Sequence, residues 1–417
     1  MLAVSPLGRP VQGTVRPPGS KSITNRALVA AALADPGASR IHDPLLADDT
    51  VAMRNALRAF GVVIDDVDDP WLVLGTGGAL DVPAGVVDAG ASGTTARFVT
   101  AVAALAGGES VIDGTERMRH RPIGPLVDAL GMLGVRATAR GGFPPVTVTG
   151  GTLEGGKTVV DSRSSSQFAS ALLLVSPMAD DEVELELMGP VVSRPYLAGT
   201  VQVMRAFGAA VSVEGDRYMV APAGYRKTHF DVEADASAAV YPAVAAAITG
   251  GSVVIQGIPD TSIQPDLEVL HILEKMGCIV SRRDGEIEVT GPPGRLQAID
   301  EDLSGAPDGA MAVAVAALFA DSPSRLRGLS TLRLKETDRL AALETELGRV
   351  GGEARVDGEI LEVGPGRLRP AEVETYDDHR MAMAMALVGL VEPGIVILDP
   401  GTVSKTWPGY FEMLSAL

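Results

Sequence analysis

The sequence predicts a mixed α/β protein of two similar domains, each built from three repeats of two helices and several short strands. Polar-tipped, alanine-rich segments recur six times at a spacing of about 72 residues. Amphipathic segments that stop at glycine lie between them, and β-branched runs fill much of the remainder. At 417 residues the chain is also too long for one ordinary hydrophobic core.

The first series begins with "PGSKSITNRALVAAALA", where Lys21, Ser22, Thr24, Asn25 and Arg26 precede a body of alanine, leucine and valine. "GASGTTARFVTAVAALAGG", "SRSSSQFASALLLVSPMAD", "ADASAAVYPAVAAAITGG", "APDGAMAVAVAALFAD" and "YDDHRMAMAMALVGLVEPG" repeat the pattern, with Lys21, Gly93, Ser165, Ala236, Asp308 and Arg380 at equivalent points. Helices apolar on nearly all faces are buried ones. Their polar starts leave free N–H groups and the positive dipole end at the helix mouth, so three converging starts per domain would suit an anion.

The second series is "TVAMRNALRAFGVVI", "PLVDALGMLGVRA", "GTVQVMRAFGAAVSV", "LEVLHILEKMGCIVS" and "DRLAALETELGRVGGEARV", with "PGYFEMLSAL" as a sixth member. Gly61, Gly134, Gly208, Gly277 and Gly351 are suited to left-handed caps. "VTVTG", "SVVIQGI", "EIEVTG" and "EILEVG" read as strands. "APAGYRKTHFDVEADAS" is the expected crossing between the domains.

Composition narrows the function. Hydrophobic residues make up 46% of the chain but aromatics only 4%, so the interior must be built from small aliphatics. A net charge of −18 argues against nucleic acid, whose binders carry a basic face. Gly, Pro or charge interrupts every apolar run before it reaches membrane-spanning length. The start, "MLAVSPLGRPVQG", lacks the pattern of a signal peptide, and Cys278 is the single cysteine, so a cytoplasmic protein without disulfides is expected.

Against this acidic background, local cations are informative. "GSKS" is not a nucleotide P-loop, because Ser20 separates Gly19 from Lys21 and prolines occupy the loop. "SRSSSQF" offers Ser164, Ser165, Ser166 and Gln167 either as a helix cap or as donors for a phosphate. "LKETDRL" places Lys335, Glu336 and Arg339 within little more than a helical turn, either as an exposed ion-pair ladder or as a site with Lys335 and Arg339 on one face. "DDHR" puts Asp378, His379 and Arg380 at the start of a helix too apolar for ordinary surface. Asp308 in "APDGA" is either a cap or a general base, and Lys405 lies in "GTVSKTWPGYF". No second histidine stands at metal-ligand spacing and no nucleophile motif occurs, so neither metal nor cofactor is expected. Lys21, Arg26, Arg121, Lys335, Arg339, Arg380 and Lys405 outnumber Asp308 and Glu336, which points to small, multiply anionic ligands and acid–base chemistry.

Taken together, "PGSKSITNRA", "GASGTTARF", "HRPIGPLVDAL", "SSSQF", "SRPY", "PDGAM", "LKETDRL", "YDDHRMAM" and "SKTWPGYF" resemble the 5-enolpyruvylshikimate-3-phosphate synthase family, in its order and over nearly the whole chain. The resemblance implies an α/β fold of two similar domains, each with three βαβαββ-type units arranged as an inside-out α/β barrel. It also implies that the N-terminal strand joins the C-terminal domain. The expected division is 1–15 with 228–417, and 16–227, with the active site in the cleft between domains.

The activity implied is transfer of the enolpyruvyl group of phosphoenolpyruvate to the 5-hydroxyl of shikimate 3-phosphate by addition–elimination, releasing phosphate. By the same resemblance, Ser22 and Arg26 would hold the shikimate carboxylate. Ser165, Ser166, Ser193 and Lys335 would hold its phosphate, while Gln167 and Tyr196 line that pocket. Thr331 stands where many members have an asparagine that touches shikimate 3-phosphate. Gly93, Thr94, Arg121, Gln167, Arg339, His379, Arg380 and Lys405 would surround phosphoenolpyruvate, and Lys21 would touch both substrates. Lys21, Asp308 and Glu336 are the implied proton carriers, with Asp308 near the attacking hydroxyl and Glu336 near the methylene carbon. Phe98 replaces a frequent proline, and Gly93 is retained, so glyphosate is an expected inhibitor. The chain is expected to be a monomer. The related UDP-N-acetylglucosamine enolpyruvyltransferases mostly carry a catalytic cysteine where this chain has "GTERMRHRPIG". A catalytically idle binding protein would have no need to keep Lys21, Asp308, Glu336 and Lys405 together.

Overall fold

The computed structural model describes residues 1–417 and divides into two compact units, Gly19–Val232 and Met1–Pro18 with Glu233–Leu417. The 19–232 unit contains α1 (Lys21–Leu33), α2 (Asp48–Ala59), α3 (Gly93–Val102), α4 (Gly124–Met132), α5 (Gln167–Val175) and α6 (Pro195–Ala206). The other contains α7 (Ala236–Thr249), α8 (Glu268–Lys275), α9 (Ala310–Ala317), α10 (Arg339–Arg349), α11 (His379–Val388) and α12 (Tyr410–Ala416). The two helix series therefore alternate as the sequence predicts, and the closing segment is the twelfth helix. Every residue of α3, α9 and α11 is buried, whereas α8 and α10 bury one face. Each glycine expected to close a second-series helix has left-handed backbone, from φ +84° at Gly61 to +99° at Gly277.

The repeat is a βαβαββ unit. In its plainest copy, strand Gly156–Asp161, α5, strand Val183–Met188, α6 and the hairpin Val211–Glu214/Arg217–Val220 follow in order. The first two strands pair in parallel and the hairpin adds antiparallel. Five four-stranded sheets share this order, and a three-stranded sheet completes the set. The sheets stay separate rather than closing into one barrel.

Two repeats borrow their first strand from elsewhere in the chain. Gln12–Val15 runs parallel to Ser252–Gln256, and His229–Asp231 runs parallel to Gly37–His42. The second pairing keeps the chain with the 19–232 unit beyond Lys227, where the sequence reading expected the crossing. Leu2–Ala3 pairs antiparallel with Ile395–Ile397 in the three-stranded sheet. In the 19–232 unit α1, α3 and α5 pack on one another, and α7, α9 and α11 do the same in the other unit. Each triad lies in its own continuous apolar core.

Candidate active site

Within each unit the starts of the three buried helices meet, and their polar side chains form a cluster. In the 19–232 unit, α1 opens at Lys21, whose Nζ lies 3.0 Å from Oδ2 of the buried Asp49 in the first turn of α2. Ser92 caps α3 by accepting from the Thr95 N–H at 3.3 Å. Gly93 lies tight against two arginines: a Cβ there would stand 2.7 Å from Arg121 Cζ and Nη2 and from Arg97 Nη1. Arg97 Nη1 donates to Gln167 Oε1 at 2.6 Å, and Gln167 Nε2 donates to Thr94 Oγ1 at 3.2 Å. Arg97 also donates to the Pro122 carbonyl at 3.1 Å and stacks on Phe168. Gly93, Thr94, Arg121 and Gln167 are thus gathered around Arg97, which the sequence reading left unassigned inside "GASGTTARF".

Ser22, Arg26 and Tyr196 form the neighbouring group. Arg26 Nε donates to Thr200 Oγ1 at 2.7 Å and Nη1 to the Ser22 carbonyl at 2.8 Å. Its Nη2 donates to Ser170 Oγ at 3.2 Å and the Tyr196 carbonyl at 3.5 Å. Four of its five N–H groups are thus committed within the protein. Phe98, in place of the expected proline, lies beneath this guanidinium at 5.3 Å. Burial lowers the Arg26 pKa to about 10, which leaves it charged at neutral pH. Ser165 Oγ accepts from the Gln167 N–H at 3.2 Å, which satisfies one N–H at the start of α5, while the N-cap residue Ser166 makes no side-chain capping bond. Ser193 has φ +53°, a strained backbone for a serine, and its carbonyl accepts from the Tyr196 N–H at 3.1 Å.

The second cluster is an ion network. Asp308 Oδ1 lies 3.0 Å from Arg339 Nη1 and 3.2 Å from Lys335 Nζ, and its Oδ2 lies 3.2 Å from Arg380 Nη2. Glu336 Oε2 accepts from Arg339 Nη2 at 2.9 Å and its Oε1 from Lys405 Nζ at 2.9 Å. Arg339 Nε donates to Asp378 Oδ2 at 2.7 Å, while Asp378 Oδ1 accepts from the Arg380 N–H at 2.8 Å and caps α11. Four cations, Lys335, Arg339, Arg380 and Lys405, thus share the carboxylates of Asp308, Glu336 and Asp378, and the buried Asp235 and Asp266 also act on Arg380, so the cluster is matched in charge within the protein. His379 is buried beside them, with Nδ1 3.7 Å from Asp378 Oδ1. The Thr331 hydroxyl is buried and makes no hydrogen bond within the protein.

Burial alone would lower the Arg339 pKa, but Asp378, Glu336 and Asp308 outweigh it and hold the group above its ordinary range. Arg380 behaves likewise, with burial opposed chiefly by Asp308. Both remain cationic at any working pH. Lys335 and Arg339 do not share a helical face, since α10 begins only at Arg339, capped by Asp338 Oδ1 accepting from the Ala341 N–H at 3.1 Å. They meet instead on Asp308. Asp235 and Ser237, which the sequence reading passed over, extend the network. Arg380 Nη2 donates to Ser237 Oγ at 2.9 Å, and Ser237 Oγ donates to Asp235 Oδ1 at 2.5 Å. The visible signal for them was the N-cap pattern of "ADASAAV", which capping alone explained.

The sequence model of the EPSP synthase (3-phosphoshikimate 1-carboxyvinyltransferase) family matches residues 7–414. The chain belongs to the EPSP synthase family. Among its relatives, the 3-phosphoshikimate 1-carboxyvinyltransferase of Nostoc punctiforme is 41% identical, over 98% of this chain and 97% of that protein. The Thiobacillus denitrificans protein of the same name is 43% identical, over 97% and 96%. The structure of EPSP synthase from Acinetobacter baumannii aligns with a TM-score of 0.82 at 27% identity, covering 99% of this chain and 97% of that one. The enolpyruvyl transferase NikO from Streptomyces tendae, 18% identical with a TM-score of 0.77, shares the fold. EPSP synthase family membership accounts for both the repeat architecture and the motif order.

Proposed function

We propose that this chain catalyses transfer of the enolpyruvyl group of phosphoenolpyruvate to the 5-hydroxyl of shikimate 3-phosphate, a step of the shikimate pathway. The observation that carries the reading is the chain of ion pairs in which Arg339 binds both Asp308 and Glu336, and Glu336 in turn binds Lys405. It brings two acid–base carboxylates and the cations for a carboxylate and a phosphate into one cluster. Shikimate 3-phosphate would be held by Ser22, Arg26, Ser165, Ser166, Gln167, Ser193, Tyr196, Thr331 and Lys335. Arg26 has one uncommitted N–H for the task. Phosphoenolpyruvate would be held by Gly93, Thr94, Arg121, Gln167, Arg339, His379, Arg380 and Lys405, with Lys21 on both substrates.

In this reaction the 5-hydroxyl attacks C2 of phosphoenolpyruvate while C3 gains a proton, giving a tetrahedral adduct. Loss of phosphate and of a methyl proton then restores the double bond. Asp308 would take the hydroxyl proton and Glu336 would serve the methylene carbon. Incoming anionic oxygens compete with these carboxylates for the same arginine and lysine donors, which frees carboxylate lone pairs as the substrates bind. The enzyme is read as a cytoplasmic monomer.

Shikimate 3-phosphate plus phosphoenolpyruvate should release phosphate, and UDP-N-acetylglucosamine in place of the first should not. No turnover with the first pair would remove the reading. Glyphosate, whose phosphonate and carboxylate match the phosphate and carboxylate of phosphoenolpyruvate in charge, should inhibit; an unchanged rate far above the phosphoenolpyruvate concentration would refute that. Gly93→Ala should raise KM for phosphoenolpyruvate about tenfold and weaken glyphosate inhibition, because its methyl must displace the Arg121 and Arg97 guanidiniums. Steady-state kinetics with and without glyphosate measure both effects.

A further inference from the structure

Behind the ion network lies a carboxylate that this chemistry does not use. Glu346, on α10, is fully buried. Its Oε1 accepts from the Tyr376 hydroxyl at 2.7 Å, and its Oε2 accepts from Arg349 Nε at 2.9 Å and from the Glu374 N–H at 3.3 Å. Two of these three donors belong to the segment that leads from strand Ala371–Val373 into α11.

That segment carries unusual backbone. Tyr376 and Asp377 are consecutive non-glycine residues with φ +56° and +55°. Left-handed conformation at two such residues persists only where surrounding contacts impose it. The bend closes with the Asp378 N–H donating to the Thr375 carbonyl at 2.9 Å. It thereby delivers Asp378, which binds Arg339 and caps the helix that carries Arg380. Arg339 and Glu346 are seven residues apart on α10, two turns along one face. Helix α10 therefore grips the lead-in to α11 at two points, through Arg339 on Asp378 and through Glu346 on Tyr376 and Glu374.

We propose that Glu346, acting with Tyr376, is a positioning residue that sets the placement of Arg380 relative to Arg339 for phosphoenolpyruvate. The inference rests on the reading of those two arginines as phosphoenolpyruvate ligands. Burial and the Glu346 contact push the Tyr376 hydroxyl up to about 12, so it stays a donor across the working range. A strut that merely stabilised the fold would change the melting temperature and leave the two substrates' KM values in proportion. A positioning strut acts selectively on the substrate held by the arginines.

The test is steady-state kinetics on Tyr376→Phe, which removes one hydroxyl at a half-exposed ring, and on Glu346→Gln. Loss of one charge-assisted bond predicts KM for phosphoenolpyruvate about five- to tenfold higher in each variant. KM for shikimate 3-phosphate and kcat should stay within about twofold, and the double variant should be little worse than the worse single one. Arg339→Lys serves as the control for the site. If it leaves KM for phosphoenolpyruvate unchanged, the assignment of Arg339 fails and the inference falls with it. If Arg339→Lys raises that KM while folded Tyr376→Phe stays within twofold of the parent, or raises both KM values alike, the inference alone is overturned. Should Glu346→Gln not fold, Tyr376→Phe decides.

Discussion

Asp308→Asn should lower kcat about 10²- to 10⁴-fold, the range lost when a positioned general base is removed. The substitution keeps the volume and one oxygen, so the loss comes from the missing proton acceptor. KM for phosphoenolpyruvate should not rise with it. In the parent, the Asp308 oxygens occupy Lys335, Arg339 and Arg380 at 3.0–3.2 Å. A neutral amide competes for those cations less strongly, so bound anions keep or gain affinity. A change in kcat without a rise in KM is the signature of an interaction made in the transition state alone. The measurement is phosphate release at saturating substrates, with thermal unfolding to show that the variant is folded. A rate within tenfold of the parent would remove Asp308 from proton transfer.

Much of this architecture was legible because its repeat is written in composition. A helix buried on every side must be alanine- and leucine-rich throughout, so α9, with all eight residues buried, cannot be mistaken for surface. The polar starts were legible for the same reason, since Lys21 and Arg380 had no ordinary cause to adjoin such helices. The strand assignments were less legible. Leu2–Ala3 and Val87–Asp88 have two residues each, too few for any alternation to register. Their place is set by pairing with distant partners: Leu2–Ala3 lies on Ile395–Ile397 at the far end of the chain, and Val87–Asp88 runs parallel to Glu109–Asp113 across an intervening helix.

The site shows the same division. Motif residues with free-standing charge, such as Asp308 and Lys405, were visible, whereas the residues that orient them were not. Arg97 looked like one more motif letter, and its function is a contact with Gln167, 70 residues on. Glu346 in "LETELGR" follows the amphipathic pattern of an exposed helix, where glutamate is commonplace. Only the fold shows that it faces inward, onto Tyr376. The offset in "LKETDRL" has a local cause. Lys335 and Arg339 have helical spacing, but Asp338 caps the helix and makes everything before it loop.

Arg339→Met should be among the most destabilising single substitutions in the chain. Arg339 is 1% exposed and makes four hydrogen bonds, two to Asp378 and one each to Asp308 and Glu336. Asp378 is fully buried, so the substitution leaves a carboxylate without its main counter-charge in low-dielectric surroundings. Breaking a buried pair from one side costs about 3–5 kcal/mol. For a cooperative unit of this size each kcal/mol lowers Tm by about 2–4 °C, so a fall of about 6–20 °C is expected in calorimetry. Two companion variants separate the causes. Arg339→Lys keeps the charge but cannot reach three carboxylates with a planar fork, so it should recover only part of the stability and bind phosphoenolpyruvate weakly. Arg339→Met combined with Asp378→Asn should be more stable than Arg339→Met alone, because the orphaned charge is gone although a further hydrogen-bond partner has been removed. If the double variant is instead the less stable of the two, lost packing rather than an uncompensated carboxylate explains the loss. The network would then be a feature tuned for its ligand, with little share in holding the starts of α9, α10 and α11 together.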